Sequence, residues 1–164
     1  MTPAPDDVAT TDRPNLVSYE IAFQRVSATL AAGDDRGQPW LVRVSEALDA
    51  VVKLFAADPA LARTVMVEAL TAGPEAVRLH DEAITRVAKC LDPGRELATG
   101  GELPEQISLL AAGAVSGLIF DEVLMGRAEE LPARMPDLLF MMLVPFIGPR
   151  AATAEMRKAA QRGT

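Results

Sequence analysis

The stretch from Ile107 to Phe120, ISLLAAGAVSGLIF, decides how the chain must fold. It carries no charge on any face, and Ala112, Gly113, Ser116 and Gly117 put small residues where another backbone can approach. With Pro104 ahead of it and Gly126 behind it, the spacing predicts a helix from about Pro104 to Met125. A helix that is apolar all round must be enclosed, either at the centre of a core or against another molecule.

A second segment shares the property. Met135 to Ile147 predicts a sixth helix, uncharged from Leu138 to Gly148. Two such helices exceed what a 164-residue core can hide, which points to a partner surface of roughly 800 Å² per subunit. The predicted contact uses Leu110, Gly113, Ala114, Gly117 and Phe120 of the fifth helix. From the sixth it uses Leu139, Met142, Leu143 and Phe146. The alternative is a fifth helix simply wrapped by the others.

Working outward, the remaining segments also read as helices. Leu16, Tyr19, Phe23, Val26 and Leu30 form one apolar stripe ending at Gly33, and a second runs from Pro39 through Val44, Leu48 and Val51 to Ala57. Asp58-Pro59 is an N-cap followed by a first-turn proline, opening a third helix that reaches Gly73. Pro74 starts a fourth, stopped by Asp92-Pro93-Gly94, and residues 94 to 103 are a loop. A seventh, short helix covers Arg150 to Gln161. No β-alternation competes, so the expected fold is an all-α bundle of six to seven helices, residues 16–162, behind a flexible tail at residues 1–15.

The charge balance is −7, with lysines and arginines scattered, which disfavours nucleic-acid binding by these residues. One cysteine, Cys90, cannot make an internal disulfide, and no signal peptide opens the chain, so a cytoplasmic location is expected. The longest uncharged run falls short of the roughly 18 to 20 apolar residues of a bilayer span, so no membrane helix is expected.

Nothing signals an enzyme, a metal or a cofactor. The only histidine, His80, lacks nitrogen or thiolate partners at ligand spacing, and Cys90 lies ten residues on, nearly on the opposite side of the same helix. Asp121-Glu122 reads as a solvated or interface-rim pair. A small-molecule pocket between helices would draw on Phe23, Trp40, Phe55, Met66, Glu68 and His80, although ordinary core packing is the stronger reading for each. Glu68 stands out because it interrupts the apolar stretch Val65 to Leu70.

The succession Ala57-Asp58-Pro59, Leu61-Ala62-Arg63, Glu68-Ala69 and Ala72-Gly73-Pro74 resembles the ligand-binding domain of TetR-type transcriptional regulators of actinobacterial style. Gly126-Arg127, Glu130-Leu131-Pro132, Pro136-Asp137-Leu138 and Pro145-Phe146-Ile147-Gly148-Pro149 are similar to the last two helices of such proteins. The resemblance spans about Leu16 to Ala152. It implies a homodimer in which those two helices pair as a four-helix bundle. It also implies a pocket for a small hydrophobic effector, and repressor-like action on DNA. The family's N-terminal helix-turn-helix has no counterpart in these residues, so DNA contact is expected only through a domain absent from this sequence. The other expectation is a free-standing protein-protein interaction module without DNA binding.

Overall fold

Asp58 ends one helix and opens the next. In the computed structural model, which describes residues 16–32, 37–98 and 100–162, its backbone N–H donates to Leu54 O at 3.0 Å. Its carboxylate accepts from Leu61 N at 3.0 Å and from Arg25 at 2.8 Å. One residue therefore ties three helices together: α1 (Leu16–Ala32), α2 (Trp40–Ala57) and α3 (Pro59–Met66). These bonds, the Leu61 N–H foremost, hold the Asp58 carboxyl below its ordinary pKa.

The third helix is shorter than its sequence suggests. After Met66 the chain tightens into a 3₁₀ turn at Glu68–Thr71, which buries Ala69 completely and turns Leu70 outward. Then α4 (Pro74–Leu91) opens on Pro74, after Gly73 at φ +117°, a backbone conformation that glycine adopts without strain. A second 3₁₀ turn, Asp92–Leu97, occupies the start of the expected loop. Arg95 organises the rest, donating to the carbonyls of Leu103, Pro104 and Glu105 at 2.8–3.2 Å.

The apolar stretch forms α5 (Ile107–Leu124), starting three residues later than expected because residues 104–106 make a turn. The last helix, α6 (Leu131–Arg162), begins earlier than expected and is broken at Gly148, whose φ of 75° and ψ of 165° are not helical. Pro149 then restarts it, so the division expected between Ile147 and Arg150 exists as a break within one element.

No strand occurs among the described residues, and the fold is an all-α bundle. In it α5 packs against α4 and α6, α2 against α6, and α1 against α2 and α4. The centre is filled by Phe55, Leu91, Leu138, Leu143 and Phe146, all 2% exposed or less. The tail at residues 1–15 lies outside the described residues.

Two polar features lock the layers. Glu122, 5% exposed near the end of α5, accepts from Arg127 at 2.7 Å and pairs with Arg134 of α6 at 3.3 Å. This corrects the expectation of a solvated Asp121-Glu122 pair: Asp121 is exposed, whereas Glu122 faces inward and joins α5 to α6. Its hydrogen bond from Arg127 holds its carboxyl below the ordinary range against the opposing effect of burial, and Arg134 adds to this. At the other end, the ring of Trp40 packs edge-on against Phe146 at 5.5 Å. Gly94 sits so close to it that a Cβ there would overlap the six-membered ring of Trp40.

Candidate functional site

All six helices contribute to one cavity of about 100 Å³. Its walls are mainly apolar: Leu48, Val51 and Phe55 from α2, Val65 and Met66 from α3, Ile84 and Val87 from α4, Val115 and Ile119 from α5, with Met142 closing it from α6. The space exists because Ala47, Ala83, Ala112 and Ser116 face it with short side chains. No Asp, Glu, Lys or Arg lines it.

His80 is the principal polar group on this wall. It is 8% exposed, and its Nδ1 lies 3.2 Å from the carbonyl oxygen of Val65. That carbonyl belongs to the last turn of α3, where helical partners run out, so the imidazole also finishes the helix. Phe23 supports the ring edge-on, with centroids 6.4 Å apart at 79°.

Of the six residues expected at a pocket, Phe55, Met66 and His80 line this cavity. The other three do not. Phe23 stands behind His80 and faces a polar surface groove with Glu20, Gln24 and Arg86. Trp40 is a strut: its Nε1 donates to Cys90 O at 2.9 Å, one of the terminal carbonyls of α4. Glu68 reaches the helix edge, where it pairs with Arg63 at 3.4 Å and accepts from the Thr64 hydroxyl at 3.3 Å. It therefore does not meet His80 in the cavity.

The residues missed are small ones. Ala112 and Ser116, expected with Gly113 and Gly117 where another backbone approaches, face inward instead, and their size leaves the volume open. Cys90 also lines the cavity, which corrects the expectation that it lies nearly opposite His80: at roughly 3.6 residues per turn, ten residues leave the two only about 80° apart.

The outward side of α5 is the second feature. Leu110 is 61% exposed and Met125 65%, with Leu109, Leu124, Ala114 and Gly117 also exposed. A Cβ added at Gly113 or Gly117 would meet nothing within 4 Å. Phe120 is half-buried beside them. On α6 the expectation is corrected: Leu139, Met142, Leu143 and Phe146 are at most 3% exposed, packed within the chain's own core with no surface left for a partner. The half-buried residues of α6 are Phe140, Met141, Val144 and Ile147 instead.

Both α5 and the Ala128–Gln161 segment are long and apolar enough to cross a membrane by length and composition, with 39% of each window buried inside the protein. The uncharged run alone understates the apolar length: α5 keeps a mean hydropathy of 1.7 although it includes Asp121 and Glu122, a level that core helices also reach. Among the described residues no three His, Cys, Asp or Glu cluster as a metal site would require.

Compared with protein-family models, curated proteins and solved structures, the chain matches none.

Proposed function

We propose that these residues form the effector-binding and dimerisation domain of a TetR-type transcriptional regulator, a cytoplasmic homodimer that responds to a small, mainly apolar molecule and catalyses nothing. The cavity carries the reading. A space walled mainly by apolar side chains and without Asp, Glu, Lys or Arg attracts hydrocarbon and repels ions, because an unpaired charge there would lose its hydration without compensation. It is smaller than a drug-sized pocket of roughly 300 Å³ or more, which restricts the effector to a single ring or a short chain unless the walls move.

The resemblance quoted above supplies the family, and the exposed apolar side of α5 supports the dimer. Two copies joined through α5 and the half-buried residues of α6 would hold two DNA-reading units, lying outside these residues, at a fixed spacing. An effector between α4 and α5 would change that spacing by favouring one packing of the two helices.

Thermal unfolding with toluene tests the reading. A ligand that binds only the folded state, present at one hundred times its Kd, adds about 2.7 kcal/mol, which raises Tm by roughly 5 to 10 °C. An unchanged Tm up to the solubility limit of toluene would refute it. The exposed α5 face also favours a second reading, a free-standing interaction module, which would dimerise but leave Tm unchanged in toluene.

A further inference from the structure

The one histidine of the chain stands on the wall of a mainly apolar cavity, whose other polar side chains are the Ser116 hydroxyl and the Cys90 thiol. The oxygen facing its Nδ1 belongs to a backbone carbonyl, which can only accept. In the neutral ring Nδ1 therefore carries the hydrogen, and Nε2 is left with a lone pair. Among the described residues, nothing donates to Nε2: the ring's one hydrogen bond is at Nδ1, with Val65, and the edge-on ring of Phe23 offers no polar donor. At 8% exposure the ring has little access to water. A buried acceptor without a donor is costly, and a native structure rarely keeps one without a use.

We infer that the molecule held in this cavity is a small aromatic or aliphatic alcohol, its single hydroxyl donating to Nε2 of His80 and its hydrocarbon body lying against Val51, Val115 and Ile119. This rests on the reading of the cavity as an effector site. Other chemistries of the same size fit less well. A carboxylate would find no lysine or arginine on the wall, and an ammonium no aspartate or glutamate. A ketone or ester would set an acceptor against Nε2 and would have to turn to the Ser116 hydroxyl on the opposite helix for a donor. An engineered cavity of roughly 150 Å³ holds benzene, so a space of about 100 Å³ takes one ring or a short chain with slight movement of the walls.

The experiment compares phenol with toluene, molecules of similar size of which only phenol can donate. Affinities are measured by calorimetry on the wild-type chain and on His80→Leu. Without an acceptor the buried hydroxyl makes phenol the weaker ligand by about tenfold or more. With Nε2 available, phenol binds at least as tightly as toluene to the wild type, and His80→Leu weakens phenol by about tenfold while leaving toluene within threefold. Should His80→Leu fail to fold, the wild type decides alone: the Nε2 nitrogen resonance of the single histidine moves on adding phenol and stays in place on adding toluene. Toluene binding ten times tighter than phenol, or a histidine resonance indifferent to phenol, overturns the inference but leaves the effector site standing. Binding of neither molecule overturns both.

Discussion

Trp40 Nε1 donates to the carbonyl oxygen of Cys90 at 2.9 Å, across fifty residues of sequence, and so fixes the first residue of α2 to the last turn of α4. The indole packs against Phe146 and against Gly94, where a Cβ would crowd both rings and which therefore leaves no room for a larger residue. Because Cys90 and Leu91 line the cavity, this strut also sets the position of one cavity wall.

Gly94→Ala therefore places a methyl group against a ring that cannot swing away. The expected cost is about 1 to 3 kcal/mol, seen as a Tm lowered by roughly 3 to 10 °C. Emission from Trp40, the only tryptophan, shifts to longer wavelength as the ring is displaced. An unchanged Tm and spectrum would mean that the ring is not pinned.

Asp58 carries the junction of three helices, and Asp58→Ala removes the N-cap of α3 together with the Arg25 pair. A loss of about 1 kcal/mol is expected in urea denaturation. The pH dependence has a definite sign. Asp58 and Glu122 both have folded pKa values below those of the unfolded chain. Their contribution is complete above the ordinary carboxylate range and is lost as pH falls through the lowered values. Wild-type stability is expected to decline below about pH 4, and Asp58→Ala to flatten that decline. An acid profile unaltered by the substitution would contradict this.

On the outward side of α5, Leu110→Lys places a charge where the structure leaves the side chain 61% exposed. The isolated fold is expected to lose less than about 0.5 kcal/mol, whereas sedimentation velocity at micromolar concentration shows a dimer for the wild type and a monomer for the variant. Leu143→Ala, by contrast, removes a fully buried side chain and costs about 2 to 5 kcal/mol. A wild-type monomer would remove the dimer from the proposal, and association only in the presence of lipid would identify the face as a membrane contact.

Ser116→Leu fills the cavity from α5. The variant is expected to be about 1 kcal/mol more stable than the wild type and to lose the Tm response to toluene. Retention of that response would place the ligand elsewhere.

The helix order was legible in the sequence because its signals are local: Asp58-Pro59 and Gly73-Pro74 mark real starts, and Gly148-Pro149 marks a real break. What could not be read was the orientation of α5 and α6. Where every face is apolar, no periodic contrast separates inside from outside. On α5 the small residues Gly113 and Gly117 pointed to an outward approach surface, and both do face open space. On α6 nothing distinguished Leu139 and Leu143, which are buried, from Phe140 and Val144, which are not. The cavity was half legible for a similar reason. Phe55 and Met66 stand out as bulky groups on helical stripes and His80 as the single histidine, while Ala112 and Ser116 stand out only as small, and which way they face is fixed by their neighbours. Glu68 misled because the turn at Glu68–Thr71 departs from α-helical spacing and delivers its carboxylate to Arg63 at the surface.

Intermolecular nuclear Overhauser effects between toluene and isotope-labelled protein locate the ligand directly. Cross-peaks from the toluene methyl to Val51, Val115, Ile119 and Met142 are expected, because these side chains form the wall of the six-helix cavity. Cross-peaks confined to Leu110, Leu124 and Met125 on the outer side of α5, or none at saturating toluene, would contradict an internal effector site.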